Sequence, residues 1–164
     1  MLILPCSIAL AKGVYQTGPE FIAEVFGDAV PEVAYLYLTP ARKEVASKIM
    51  NRQVRGLRTR YWRAGDTTVW IMEEIGKELP ITIGVVVRDN RIAQVKILAF
   101  RESRGWEVRY PAFTAQYQDV KITDDFGLDT HIDGITGATL SVRAVTKVAT
   151  LALYYHQQTT QQAE

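Results

Sequence analysis

Residues 133–141, Asp-Gly-Ile-Thr-Gly-Ala-Thr-Leu-Ser, hold the densest set of groups that could do chemistry in this chain. Gly134, Gly137 and Ala138 leave the backbone nearly bare beside the hydroxyls of Thr136 and Thr139. The run that follows reads as a helix from Val142 to about Gln157. A small-residue turn feeding a helix is a natural phosphate seat, because free N–H groups and the helix dipole both favour an anion. A threonine hydroxyl there becomes a nucleophile once an acid or a metal lowers the cost of its deprotonation, and Asp133 is placed to do so. Gly137 and Ala138 also leave room for a second protein to grip the loop. The plain alternative is an ordinary helix entry with Thr139 or Ser141 as N-cap.

The nine residues resemble the flavinylation motif of the FMN-binding domain family, Asp-x-x-(Ser/Thr)-Gly-Ala-Thr-x-(Ser/Thr). A second segment, 101–117, is similar to the family's mid-domain stretch at Glu102, Gly105, Phe113, Gln116 and Tyr117, and it departs with Ser103 and Arg104 where many relatives carry Thr and Pro. Read without the family, that segment is a polar loop leading into a core-facing aromatic pair, Phe113 and Tyr117. The resemblance covers residues 80–157. It implies FMN joined to Thr139 through a phosphoester, within a site of Asp133, Gly134, Thr136, Gly137, Ala138, Leu140, Ser141, Glu102 and Gly105. It also implies a partner, a magnesium-dependent flavin transferase that uses FAD. The family includes flavin-carrying subunits of sodium-pumping quinone reductases and small extracytoplasmic flavoproteins. The implied role is therefore an electron carrier serving a membrane or periplasmic redox partner, non-enzymatic by itself or, if enzymatic, an oxidoreductase component. Two other roles stand beside it: a small flavin-dependent terminal reductase, and a cofactor-free interaction domain using the loop as a helix cap.

Composition narrows the remaining classes. The 164 residues carry a formal charge of +1, with 48% hydrophobic and 23% charged residues, an ordinary globular balance with no pull toward nucleic acid. Arg52, Arg55, Arg58, Arg60 and Arg63 alternate in part, as on the solvated face of a strand. His131 and His156 have no metal-like spacing, and His131 reads as a solvated loop residue. No Gly-x-Gly-x-x-Gly or phosphate-loop pattern is present. Ser141, His131 and Asp133 lack the strand-turn-helix setting of a hydrolase triad.

Residues 1–11 are apolar and end in Ala9-Leu10-Ala11, a small-x-small cleavage pattern without a basic start, and they read as a shortened signal peptide for a periplasmic or extracytoplasmic protein. The alternative is a buried N-terminal strand, and Pro5 argues against Cys6 as a lipid anchor. With the lone cysteine removed, the mature chain could hold no disulfide, iron–sulfur cluster or c-type haem. Domain 12–157 would then be followed by a polar, frayed tail, 158–164.

These groups need a scaffold. Pro19–Phe26 and 41–51 read as helices, the latter capped by Thr39 with Pro40 in its first turn. Two hairpins follow, 57–63 with 67–74 and 81–87 with 91–100, joined by Ala64-Gly65-Asp66 and Asp89-Asn90. The second is the most apolar segment and is expected at the sheet's centre. Val142, Val145, Val148, Ala152 and Leu153 form the apolar stripe of the last helix. Tyr155 and Trp106 read as core aromatics more readily than as flavin-stacking partners. The fold class is a single α+β domain, an antiparallel-rich sheet packed with helices.

Overall fold

A computed structural model of the chain describes residues 13–162, so the segment with Cys6 and its cleavage signature lies outside the described residues. Helix α1, Gly18–Phe26, starts at a reciprocal cap in which Thr17 and Glu20 each take the other's backbone N–H. Strand β1 (Val33–Tyr37) leads to α2 (Pro40–Met50), whose N-cap is Thr39 as expected. Strands β2 (Arg58–Ala64), β3 (Thr67–Ile75), β4 (Pro80–Arg88) and β5 (Arg91–Ala99) complete a five-stranded antiparallel meander in sequence order. Asp89 and Asn90 both take positive φ, 52° and 60°, which matches the twist of a two-residue hairpin. A short helical stretch, Trp106–Tyr117, includes α3 (Pro111–Thr114), and α4 (Thr139–Gln162) closes the chain.

The two faces of the sheet are covered differently. Trp70, Ile83, Val85 and Ile97 pack under α4, whose Val145, Val148 and Ala149 are fully buried. On the opposite face α1 inserts Phe21 and Ile22 among Val69, Val86 and Leu98. Gly84 makes that approach possible, since a Cβ there would lie 2.4 Å from the Phe21 ring.

Three expectations are corrected. Strand β5 is the edge of the sheet, and β3 is its centre. β5 is apolar because both faces are covered, and its edge is covered too: Tyr15 N–H donates to Leu98 O (2.8 Å) and Ile92 N–H to Val120 O (2.9 Å). The last helix does not fray at Gln157 but runs to Gln162. The Gln162 carboxamide accepts from Tyr37 N–H and donates to Tyr35 O, each at 3.0 Å, completing the outer edge of β1. Trp106 is 41% exposed rather than core, while Tyr155 is buried against Trp70 with ring centroids 5.5 Å apart.

His156 lies buried beneath β3. Its Nδ1 sits 2.7 Å from Thr68 Oγ1, which also receives the Trp70 indole N–H at 2.9 Å. Burial, helped by the Arg63 charge, pushes the imidazole pKa down to about 4. A depressed histidine costs nothing above pH 6.5, where folded and unfolded chains are both neutral. As pH falls from 6.5 to 4 the unfolded chain takes up a proton that the folded one refuses, and about 3 kcal/mol of stability is lost. Urea titrations across that window should show this excess slope in the wild type and not in His156→Gln. Equal slopes would contradict the assignment.

Candidate functional site

The loop before α4 is built by a turn. Ala138 N–H donates to Ile135 O at 2.9 Å, and Gly137 takes φ 82°, a conformation that favours glycine. Helix α4 then begins at Thr139, three residues before the expected start. Neither Thr139 nor Ser141 is its N-cap. Ala138 occupies that place, its carbonyl receiving Val142 N–H at 2.9 Å. Thr139 and Leu140 are exposed, and Ser141 is buried. The first-turn N–H groups have no acceptor within the helix, so an anion at Thr139 would meet both them and the positive end of the dipole.

The mid-domain segment supports this loop. Gly105 takes φ 86°, and a Cβ there would lie 2.5 Å from Ser141 Oγ. The bare backbone of Gly105 is what lets the 101–105 loop close on the first turn of α4. Gly105→Ala combines strain with that collision and should cost about 1–3 kcal/mol, read as a lower thermal midpoint. An unchanged midpoint would mean that the contact yields freely.

Glu102 organises the β3–β4 connection. Its Oε1 accepts the N–H groups of Lys77 (2.6 Å), Glu78 (2.6 Å) and Leu79 (2.8 Å). Desolvation works against its charge, but the three N–H bonds outweigh it and hold the carboxyl below its ordinary range. Phe113 and Tyr117 are the buried edge-to-face pair anticipated above, with centroids 5.6 Å apart. The Tyr117 hydroxyl meets Thr146 Oγ1 of α4 at 2.7 Å. Between them, Gln116 Oε1 accepts Asp133 N–H at 2.8 Å, and its amide lies 3.5 Å from Asp133 O. Gln116 thus holds the backbone of Asp133 and leaves its side chain free. The Asp133 carboxylate is 85% exposed, 3.6 Å from the equally exposed His131.

Two clefts meet at Thr139. One, about 610 Å³, is lined by Lys77, Glu102, Ser103, Arg104 and residues 137–141. The other, about 400 Å³, is lined by Gly134, Ile135, Thr136, Thr139, Val142 and Arg143. A larger hollow of about 650 Å³ continues past Arg143 along Gly127–Ile132 and Lys147. The structure therefore brings Glu102 together with the 137–141 loop, and sets Gly105 beneath it. Asp133 lines none of these clefts. The cations Lys77, Arg104, Arg143 and Lys147 were not singled out from sequence. Only Arg104 carried a signal there, as a departure from the family pattern. A Cβ on Gly134 or Gly137 would meet no atom within 4 Å, so the loop stands in open space. Among the described residues no three His, Cys, Asp or Glu side chains group as a metal site, and no helix is long and apolar enough to cross a membrane.

Compared with known proteins, residues 76–154 match the model of the FMN-binding domain. That span runs from the β3–β4 turn through both supporting segments to Tyr154 of α4. No curated protein and no solved structure matches the chain.

Proposed function

We propose that the FMN-binding domain matched at residues 76–154 holds FMN covalently, by a phosphoester to Thr139, and that the protein is an electron carrier. The observation that carries this reading is the position of Thr139. It is an exposed residue, the first of α4, where two clefts lined by cations meet. The residues present fit a phosphate: the first-turn N–H groups would hold it, and Lys77, Arg104 and Arg143, which line the two clefts, would balance its charge. When bound, the flavin supplies one- and two-electron chemistry, while the protein contributes position and electrostatics.

Attachment is a substitution by Thr139 Oγ at the flavin-side phosphorus of FAD. The hydroxyl proton and AMP leave, and the chain gains FMN less one water. The partner for that step is a flavin transferase, to which the open Gly134–Gly137 loop and the free Asp133 carboxylate are accessible. We place the carrier outside the cytoplasm, between a membrane donor and a periplasmic acceptor. A tether makes physical sense there, because a dissociated cofactor would be lost. The apolar residues 1–11 with their Ala9-Leu10-Ala11 end support this location.

Intact mass tests the reading. Protein from cells with a flavin transferase should gain the mass of FMN less water, and protein from cells without one should not. An unmodified mass in both would overturn the covalent assignment. Reoxidation of the reduced flavin by a small molecule or metal ion, at a rate of turnover, would instead identify a terminal reductase.

A further inference from the structure

Strands β2 and β3 are neighbours for only part of their length. Their ladder holds Trp62↔Val69, Arg63↔Thr68 and Ala64↔Thr67, and it stops there. Beyond it Arg58–Tyr61 pair only with β1, and Trp70–Ile75 only with β4. The strands part, and a cleft of about 580 Å³ opens between them. Residues of both sheet faces line it: Arg58 and Arg60 from β2, Ile71 and Glu73 from β3, and at its floor Met50 and Leu151. With the ladder ended at Trp62↔Val69, residues of opposite faces share this cleft through the gap between the two strands.

The backbone on both sides of this split is short of partners. The two-residue turn makes Ala64 and Thr67 a hydrogen-bonded pair, so by alternation the N–H and C=O groups of Ile71 and Glu73 point toward β2. Those of Arg58 and Arg60 point toward β3. At the far end Ile75 N–H is taken by a side chain, Glu74 Oε1, at 2.8 Å, a substitute for the missing strand. The rim is strongly basic, with Arg52, Arg55, Arg58 and Arg60 around one opening. Arg52 is engaged by Glu74 at 3.1 Å, and Arg58 lies over the Tyr35 ring at 3.9 Å. The Glu73 carboxylate turns to Thr82 Oγ1 (2.9 Å) and Arg101 (4.0 Å), so its charge is answered within the chain.

We propose that this split receives an extended acidic segment of a partner protein, which adds a strand along Ile71–Glu73. Unpaired strand edges recognise an extended backbone, and alternate side chains supply the specificity. Acidic residues at every second position would meet Arg55 and Arg60, and apolar residues between them would face Met50 and Leu151. The surface is separate from Thr139 and does not depend on the flavin reading.

The test uses the full chain and a synthetic octapeptide of alternating valine and glutamate. Its lysine counterpart and a version N-methylated at alternate backbone nitrogens serve as controls. Calorimetry should show the acidic peptide binding, and both controls should bind at least about tenfold more weakly. Amide NMR shifts should centre on Ile71 and Glu73. Arg55→Glu with Arg60→Glu should weaken the acidic peptide by about the same factor, with circular dichroism checking the fold. If that variant does not fold, the peptide comparison alone decides. Absence of binding, equal binding of the N-methylated peptide, equal binding of the lysine peptide, or shifts confined elsewhere would each overturn the proposal.

Discussion

Thr139→Ala is expected to abolish flavin that stays with the chain after denaturation, while leaving the fold intact. The side chain is exposed on the first residue of α4, and Ala138 rather than Thr139 holds the cap position. Its removal should therefore change stability by no more than about 0.5 kcal/mol. What is lost is the side-chain hydroxyl of the one residue that lines both clefts, among the described residues. Thr136 is also exposed, but it lies in the preceding turn and borders one cleft alone, so Thr136→Ala should keep at least part of the covalent flavin. Thr139→Ser is the finer probe, because it keeps the hydroxyl but frees the rotamer. Denaturing gels read by flavin fluorescence decide the matter. Covalent flavin retained in Thr139→Ala would place the anchor elsewhere.

The second large effect is expected from Asp133→Asn, and here modification and folding should separate. Gln116 holds Asp133 by its backbone, and that grip does not depend on the side chain. The carboxylate itself is 85% exposed. Its neutralisation should thus leave the thermal midpoint within the range of a surface substitution, about 0.5 kcal/mol. Under the proposed function flavinylation should nevertheless fall to a small fraction of wild type, since that reading gives the carboxylate to the transferase step rather than to the fold. A variant that unfolds would make Asp133 structural. One that is modified normally would make the carboxylate dispensable.

The contrast between Asp133 and Glu102 shows how far residue type carries. Both are acidic members of family-like segments, and by sequence both belong to the site. In the fold one stands free in solvent, while the other spends an oxygen on three N–H groups of the β3–β4 turn. Gln116 carried no signal beyond its place in the motif, and its grip on Asp133, 17 residues away, exists only in the fold, where Phe113 and Tyr117 beside it are packed in the core. Lys77 and Arg104 line one cleft because Glu102 draws the 77–79 backbone toward its own loop.

By itself the sequence determined what depends on neighbours along the chain. The cap of α2 at Thr39, the positive-φ turn at Asp89-Asn90, the antiparallel strands and the glycine-bearing loop before a long helix all follow from local hydrogen bonding and allowed φ. Tertiary structure decided what depends on distant partners. It made apolar β5 an edge strand covered on every side, and carried α4 on to Gln162 because that amide completes β1 across 125 residues. It opened β2 from β3 beyond a three-residue ladder, and it seated Ser141, in the first turn of a helix that starts at Thr139, against Gly105. The physical reason is the same in each case. Local preferences are worth about 1 kcal/mol each and act within a turn, whereas burial and long-range pairing choose among the arrangements those preferences allow.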